Sequence, residues 1–133
     1  MLRKITIAAL AALILSCNSH EVKEPTTDVE VATAFIRNIL DSKFDEAEKF
    51  LLKNDTNVAL FARFKKDYAG KKKDVLDKYK AADILVNETS YVTDSIYIFN
   101  YSNSYTKEAR NLKLVRINGK WLVDFAYTFS GNL

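Results

Sequence analysis

The sequence predicts an α+β domain in which N-terminal helices pack on an antiparallel sheet of about four strands. Two patterns carry that expectation. Apolar residues between Val31 and Tyr79 recur every three or four positions, the spacing of one helix face. After Asp83 they recur every second position, the spacing of a half-buried strand. A third observation fixes one connection: Asn118-Gly119, between two alternating runs, is the signature of a two-residue type I′ hairpin.

The elements follow in order. Thr27-Asp28-Val29-Glu30 is a capping box, in which the Thr27 hydroxyl accepts from the Glu30 backbone and the Glu30 carboxylate reaches back. Val31, Ala34, Phe35 and Ile39 then make a helical stripe running to Leu40. Asp41-Ser42-Lys43 interrupts it. A short second helix is expected from Phe44, with Ala47, Phe50 and Leu51 on one face. Asn54-Asp55-Thr56-Asn57 reads as a turn and cap for a third helix from Val58, with Phe61, Phe64 and Tyr68 as its stripe. Gly70 ends or bends that helix, and residues 74–79 continue helical through Val75, Leu76 and Tyr79. Strands are expected over 84–91, 95–101, 112–117 and 120–129, with a turn at 92–95.

The hairpin turn also sets a register. Ile117 faces Lys120, Arg116 faces Trp121, Val115 faces Leu122, Leu114 faces Val123, Lys113 faces Asp124 and Leu112 faces Phe125. One face then carries Leu112, Leu114, Trp121, Val123, Phe125 and Tyr127, and it should pack on the helices. The other carries Val115, Ile117, Leu122, Lys113 and Asp124 and stays half wet. Lys113 and Asp124 are directly opposed, a pair worth about 0.2–1 kcal/mol.

Residues 1–16 read as a signal peptide. Arg3 and Lys4 precede an apolar stretch over 5–15 that is too short to span a bilayer, which takes about 20 residues. The segment resembles a bacterial lipoprotein signal, carried by Ile14-Leu15-Ser16-Cys17, in which the cysteine is lipidated after cleavage. That resemblance implies a lipid-anchored protein of the bacterial cell envelope, in the outer membrane, attached to the membrane through Cys17. Residues 17–26 become the lipidated cysteine and a polar tether ending at Pro25, and residues 27–133 form one domain. Loss of Arg3 and Lys4 removes two of the 20 basic residues and leaves near balance against the 17 acidic ones. Nucleic acid is therefore not an expected partner. Cys17 is the only cysteine, so no internal disulfide forms and stability rests on the core. A hydrophobic fraction of 48% makes such a core feasible, and the scarcity of glycine (3) and proline (1) argues against both disorder and a turn-rich all-β design.

Helices first, then a sheet closing on the run from Leu112 to Asp124, resembles the nuclear transport factor 2-like (cystatin-like) superfamily. The chain looks most like the small bacterial lipoproteins of unknown function within it. Val31-Ala32-Thr33-Ala34-Phe35-Ile36, followed by Lys43-Phe44-Asp45-Glu46-Ala47, echoes their N-terminal pattern. The resemblance spans residues 28–129. It implies a curved, cone-shaped sheet wrapped around a long helix with a pocket between them, and no single activity.

Enzymes on such a fold use a pocket Asp or His with tyrosine partners. Here the only histidine is His20, in the tether. A His/Cys metal site is thereby excluded from the domain, no tight carboxylate cluster and no glycine-rich phosphate loop exist, and no cofactor is expected. The candidate pocket lining is Phe35, Phe64, Tyr68, Tyr97, Tyr101, Leu114, Trp121, Phe125 and Tyr127. Tyr97, Tyr101, Tyr105 and Tyr127 are candidates for its mouth, with Arg110 and Arg116 as donors. Each has a plainer reading as a packed or rim residue, and Arg116 opposite Trp121 fits a cation–π pair. Asp124 faces outward opposite Lys113 and is a poor general base. The lysines from Lys65 to Lys80 fit a solvated helix face better than a lipid-binding patch, because Asp67, Asp74 and Asp77 break the run. The expected function is non-catalytic binding of a small apolar ligand or a protein partner by a membrane-tethered domain. Two alternatives stay open: an isomerase- or dehydratase-like enzyme with a pocket acid within reach of a tyrosine hydroxyl, and an interaction subunit that forms a homodimer through Val115, Ile117 and Leu122.

Overall fold

The computed structural model describes residues 22–129. The expected signal peptide (1–16), the expected lipidation site Cys17, and residues 18–21 of the expected tether, His20 among them, lie outside the described residues, as do residues 130–133. Among the described residues, helices α1 (Asp28–Leu40), α2 (Phe44–Glu48), α3 (Asp55–Ala69) and α4 (Lys73–Ala81) precede strands β1 (Ile84–Thr93), β2 (Ile96–Asn103), β3 (Arg110–Ile117) and β4 (Lys120–Asp124). The architecture is α+β. The strands pair antiparallel in the order β1-β2-β3-β4, an open meander with the helices on one face.

α1 starts where the capping box places it. The Glu30 N–H donates to the Thr27 hydroxyl at 3.3 Å, and the Glu30 carboxylate accepts the Thr27 N–H at 3.1 Å. Backbone donors from Thr26 and Thr27 hold that carboxyl below its ordinary value. The apolar face of α1 buries Val31, Ala32, Phe35, Ile36, Ile39 and Leu40.

α2 buries Phe44 and Ala47 but stops at Glu48, short of the expected Phe50 and Leu51. Phe50 lies in the turn that follows, its N–H donating to the Ala47 carbonyl at 3.0 Å, and Leu51 forms a bridge to Val123. Val123 N–H donates to the Phe50 carbonyl at 2.8 Å, and Leu52 N–H donates to the Val123 carbonyl at 2.9 Å. β4 is an edge strand with unpaired backbone groups, and the segment after α2 satisfies them through a parallel bridge at Leu51. Tertiary pairing outweighs helical propensity there.

α3 begins three residues earlier than the apolar stripe suggested, because the Asn54 side chain accepts the Asn57 N–H at 2.8 Å. Gly70 ends it, and Lys72 turns extended to start α4, so the two are separate helices. Arg37 clamps the far end of α4. Its guanidinium donates to the carbonyls of Ala82 at 2.8 Å and Lys80 at 3.0 Å, while Asp41 orients it at 2.9 Å.

In the sheet, β1 and β2 run to a turn of only Asp94-Ser95, shorter than expected, with irregularities in β1 that increase its bend. Asn118 and Gly119 both have positive φ, 50° and 76°, as a type I′ turn requires. The β3–β4 register runs from Ile117 opposite Lys120 to Lys113 opposite Asp124, as read from the turn. The sixth pair, Leu112 with Phe125, does not form. The last strand ends at Asp124 and the chain enters a 3₁₀ helix, Phe125–Phe129. Two forces end the strand. The fully buried Asn57 side chain takes the Ala126 N–H at 2.8 Å, and Phe125 swings onto Phe61, with ring centroids 5.3 Å apart. Tyr127, expected on the inner face, consequently lies under the Lys113 ammonium at 5.6 Å, on the side of the Lys113–Asp124 ion pair (3.3 Å).

Candidate ligand cavity

The inner face of the sheet presents Leu112, Leu114, Tyr97, Phe99, Trp121 and Val123 to the helices, all buried. Packing is dense at the β3–β4 end. Toward the open ends of β2 and β3 it leaves a cavity of about 150 Å³. Phe35, Ile36, Ile39 and Leu40 of α1 form one wall, with Phe64 on α3 and Leu112 and Phe125 opposite. The other end is polar. Tyr68, Tyr79, Tyr101, Asn103, Thr106 and Arg110 surround it, with Lys71 from the link between α3 and α4. The sequence puts these groups together for simple reasons. Tyr101 and Arg110 are directly opposed in the β2–β3 ladder and so share the inner face. Tyr68 lies on the α3 stripe, and α4 brings Tyr79 against it, centroids 5.2 Å apart.

Five of the nine residues expected to line a pocket do so: Phe35, Phe64, Tyr68, Tyr101 and Phe125. Four do not. Leu114 is fully enclosed in the core. Tyr97 packs between Tyr91 (4.8 Å) and Trp121 (6.3 Å) at the opposite end of the sheet. Trp121 is covered by the Arg116 guanidinium, 5.4 Å from its ring, so this pair forms the cation–π contact and Arg116 supplies no donor to the cavity. Tyr127 lies outside, as described above. At the mouth, Tyr105 meets Tyr79 edge to face, with centroids 5.1 Å apart, and remains exposed. Lys71, Tyr79, Asn103, Thr106 and Thr128 were not anticipated. Lys71 sits in a run of lysines with no mark to single it out, and the loop holding Asn103 and Thr106 has no periodicity to read.

The ionisation of the mouth tyrosines follows from burial. It raises the phenols of Tyr68 and Tyr79 and pushes Tyr101 up to about 12, with the Arg110 charge opposing the rise at Tyr79 and Tyr101. All three are protonated donors at neutral pH. A phenol whose folded pKa lies above its unfolded value of 10.0 contributes stability below that value and loses it as pH climbs toward 12. Unfolding free energy from urea titrations should therefore fall between pH 10 and pH 12 more steeply for the native chain than for Tyr101→Phe, by up to about 1.4 kcal/mol per pH unit. Equal slopes would show that Tyr101 does not contribute.

Among the described residues, no Asp or Glu lines this cavity. The acid–tyrosine pair that the structure does form lies elsewhere. Tyr91 donates its hydroxyl to the buried Asp28 at the start of α1, beside Thr27, Asp94, Arg116 and Trp121 in a shallow open recess. That contact joins residues 63 apart in sequence, and no local pattern announces it. Comparison with protein-family models, curated proteins and solved structures finds no match for this chain.

Proposed function

We propose that this chain is a membrane-tethered, non-catalytic binding protein of the bacterial cell envelope that holds a small apolar ligand between its helices and its sheet. The cavity carries the reading, since it combines an apolar interior with a few convergent polar groups. The absence of a carboxylate from its lining supports binding over isomerase- or dehydratase-like chemistry. The helix-then-sheet order is compatible with a nuclear transport factor 2-like fold. Attachment rests on the sequence around Cys17, whose acylation with more than one chain would anchor the protein stably. A partner or second copy would instead use Val115, Ile117 and Leu122, of which Ile117 alone is well exposed at 45%.

Two measurements test this. Toluene titrated into the isotope-labelled protein should shift the methyl resonances of Ile36, Ile39, Leu40 and Leu112 and leave Leu85 and Val86 on the exposed strand unmoved. Uniform shifts, or none, would overturn the cavity as a binding site. Cys17→Ala should move the protein from the membrane pellet to the soluble fraction, and a variant that still pellets would overturn the tether.

A further inference from the structure

The chemistry of the cavity's two ends specifies more than apolar binding. About 150 Å³ is the space that takes up one benzene ring. The apolar end is built for such a ring. Two cations, Lys71 and Arg110, and the phenol donors line the mouth, with no carboxylate in the lining among the described residues; Glu108 pairs with Arg110 and Asp41 acts on Tyr68 from outside it. Tyr68 is the telling residue. It is 5% exposed, and its buried hydroxyl has no hydrogen-bond partner among the described residues. A buried donor left unmade is costly and rare, so the geometry asks for an acceptor from outside the chain. Arg110 has donors to spare. Among the described residues its guanidinium makes one hydrogen bond, to Glu108 at 3.1 Å, and both side chains of that pair are exposed, 46% and 66%. Asn103 is already occupied, donating to the Thr106 hydroxyl at 3.1 Å and accepting the Tyr105 and Thr106 backbone N–H groups.

We infer that the ligand is a small apolar monocarboxylate with the bulk of about one aromatic ring, its carboxylate held by the Tyr68 hydroxyl, Arg110 and Lys71. The inference rests on the cavity being a ligand site. Charge-assisted hydrogen bonds to a carboxylate are the strong kind, and a guanidinium matches that group with two parallel donors.

The test compares 3-phenylpropanoate with 3-phenylpropanol, which share the ring and chain and differ in the charged head. Each is titrated calorimetrically into the purified full chain in detergent, with the titration into protein-free detergent subtracted. The acid should bind at least about tenfold more tightly than the alcohol. Arg110→Met should cut that preference to less than about threefold, and Tyr68→Phe should weaken the acid more than the alcohol. Equal binding of acid and alcohol would overturn the carboxylate while sparing the cavity. Binding of neither would overturn both. An unchanged preference in Arg110→Met and Tyr68→Phe would overturn the assignment of the mouth.

Discussion

Replacing Asn57 with leucine will lower the unfolding free energy by about 2–6 kcal/mol, a large share of the stability of a domain this size. The side chain is fully buried and joins three parts of the chain. Its amide donates to the Leu52 carbonyl at 3.0 Å, in the segment that completes the edge of β4. Its carbonyl accepts the Ala126 N–H at 2.8 Å, at the point where β4 gives way to the 3₁₀ helix. Its own N–H is taken by the Asn54 cap. Leucine has as many side-chain heavy atoms as asparagine and a larger volume, so no cavity opens and overpacking at this site adds to the loss. The rest comes from leaving a buried carbonyl and a buried N–H without partners, each costing about 1–3 kcal/mol. Urea unfolding followed by far-ultraviolet circular dichroism gives the value directly. A loss under about 1 kcal/mol would mean that water or a shifted backbone replaces both bonds, and that the end of β4 is fixed by Phe125 alone.

Asn57 also shows where sequence reasoning stops. The cap at residues 54–57 was readable because an Asx cap is local, as were the capping box of α1 and the two-residue turn at Asn118-Gly119. Periodicity placed the helix stripe of Phe61, Phe64 and Tyr68 and the inner-face set from Leu112 to Val123, because burial of one face follows from spacing alone. What was not readable depends on partners distant in sequence. Phe50 and Leu51 continue a helical spacing, yet the unpaired edge of β4 draws them into a bridge. Residues 125–129 continue an alternating pattern, yet Asn57 and Phe61 turn them away. That single turn explains why Phe125 lines the cavity while Tyr127 lies outside it. The lysine run was legible as a solvated face because Asp67, Asp74 and Asp77 break it. Lys73 pairs with Asp77 one turn along, Lys65 reaches Asp45, and Lys78 covers Tyr105 at 5.6 Å. These exposed pairs contribute little stability.

Truncating Phe61 to alanine should cost about 3–5 kcal/mol and at the same time enlarge the ligand cavity. Phe61 is 2% exposed and stands at the centre of a ring cluster, with centroids 6.0 Å from Phe35, 6.4 Å from Phe44, 6.5 Å from Phe64 and 5.3 Å from Phe125. Phe35, Phe64 and Phe125 are themselves cavity wall, so the void left by Phe61 opens behind that wall. An apolar void of that kind stays dry and accepts benzene. Benzene should then restore part of the lost stability, about 2.7 kcal/mol at a concentration one hundred times its dissociation constant. Leu51→Ala supplies the comparison. Leu51 is equally buried, lies on the bridge to Val123, and does not line the cavity. Its truncation should cost a similar amount, about 2–5 kcal/mol, without added rescue. Thermal melts with and without benzene separate the cases. A larger rise in Tm for Phe61→Ala than for the native chain or Leu51→Ala ties the aromatic cluster to the binding cavity. An equal rise in all three would mean that the cluster is packing only, and that the cavity ends at the faces of Phe35 and Phe125.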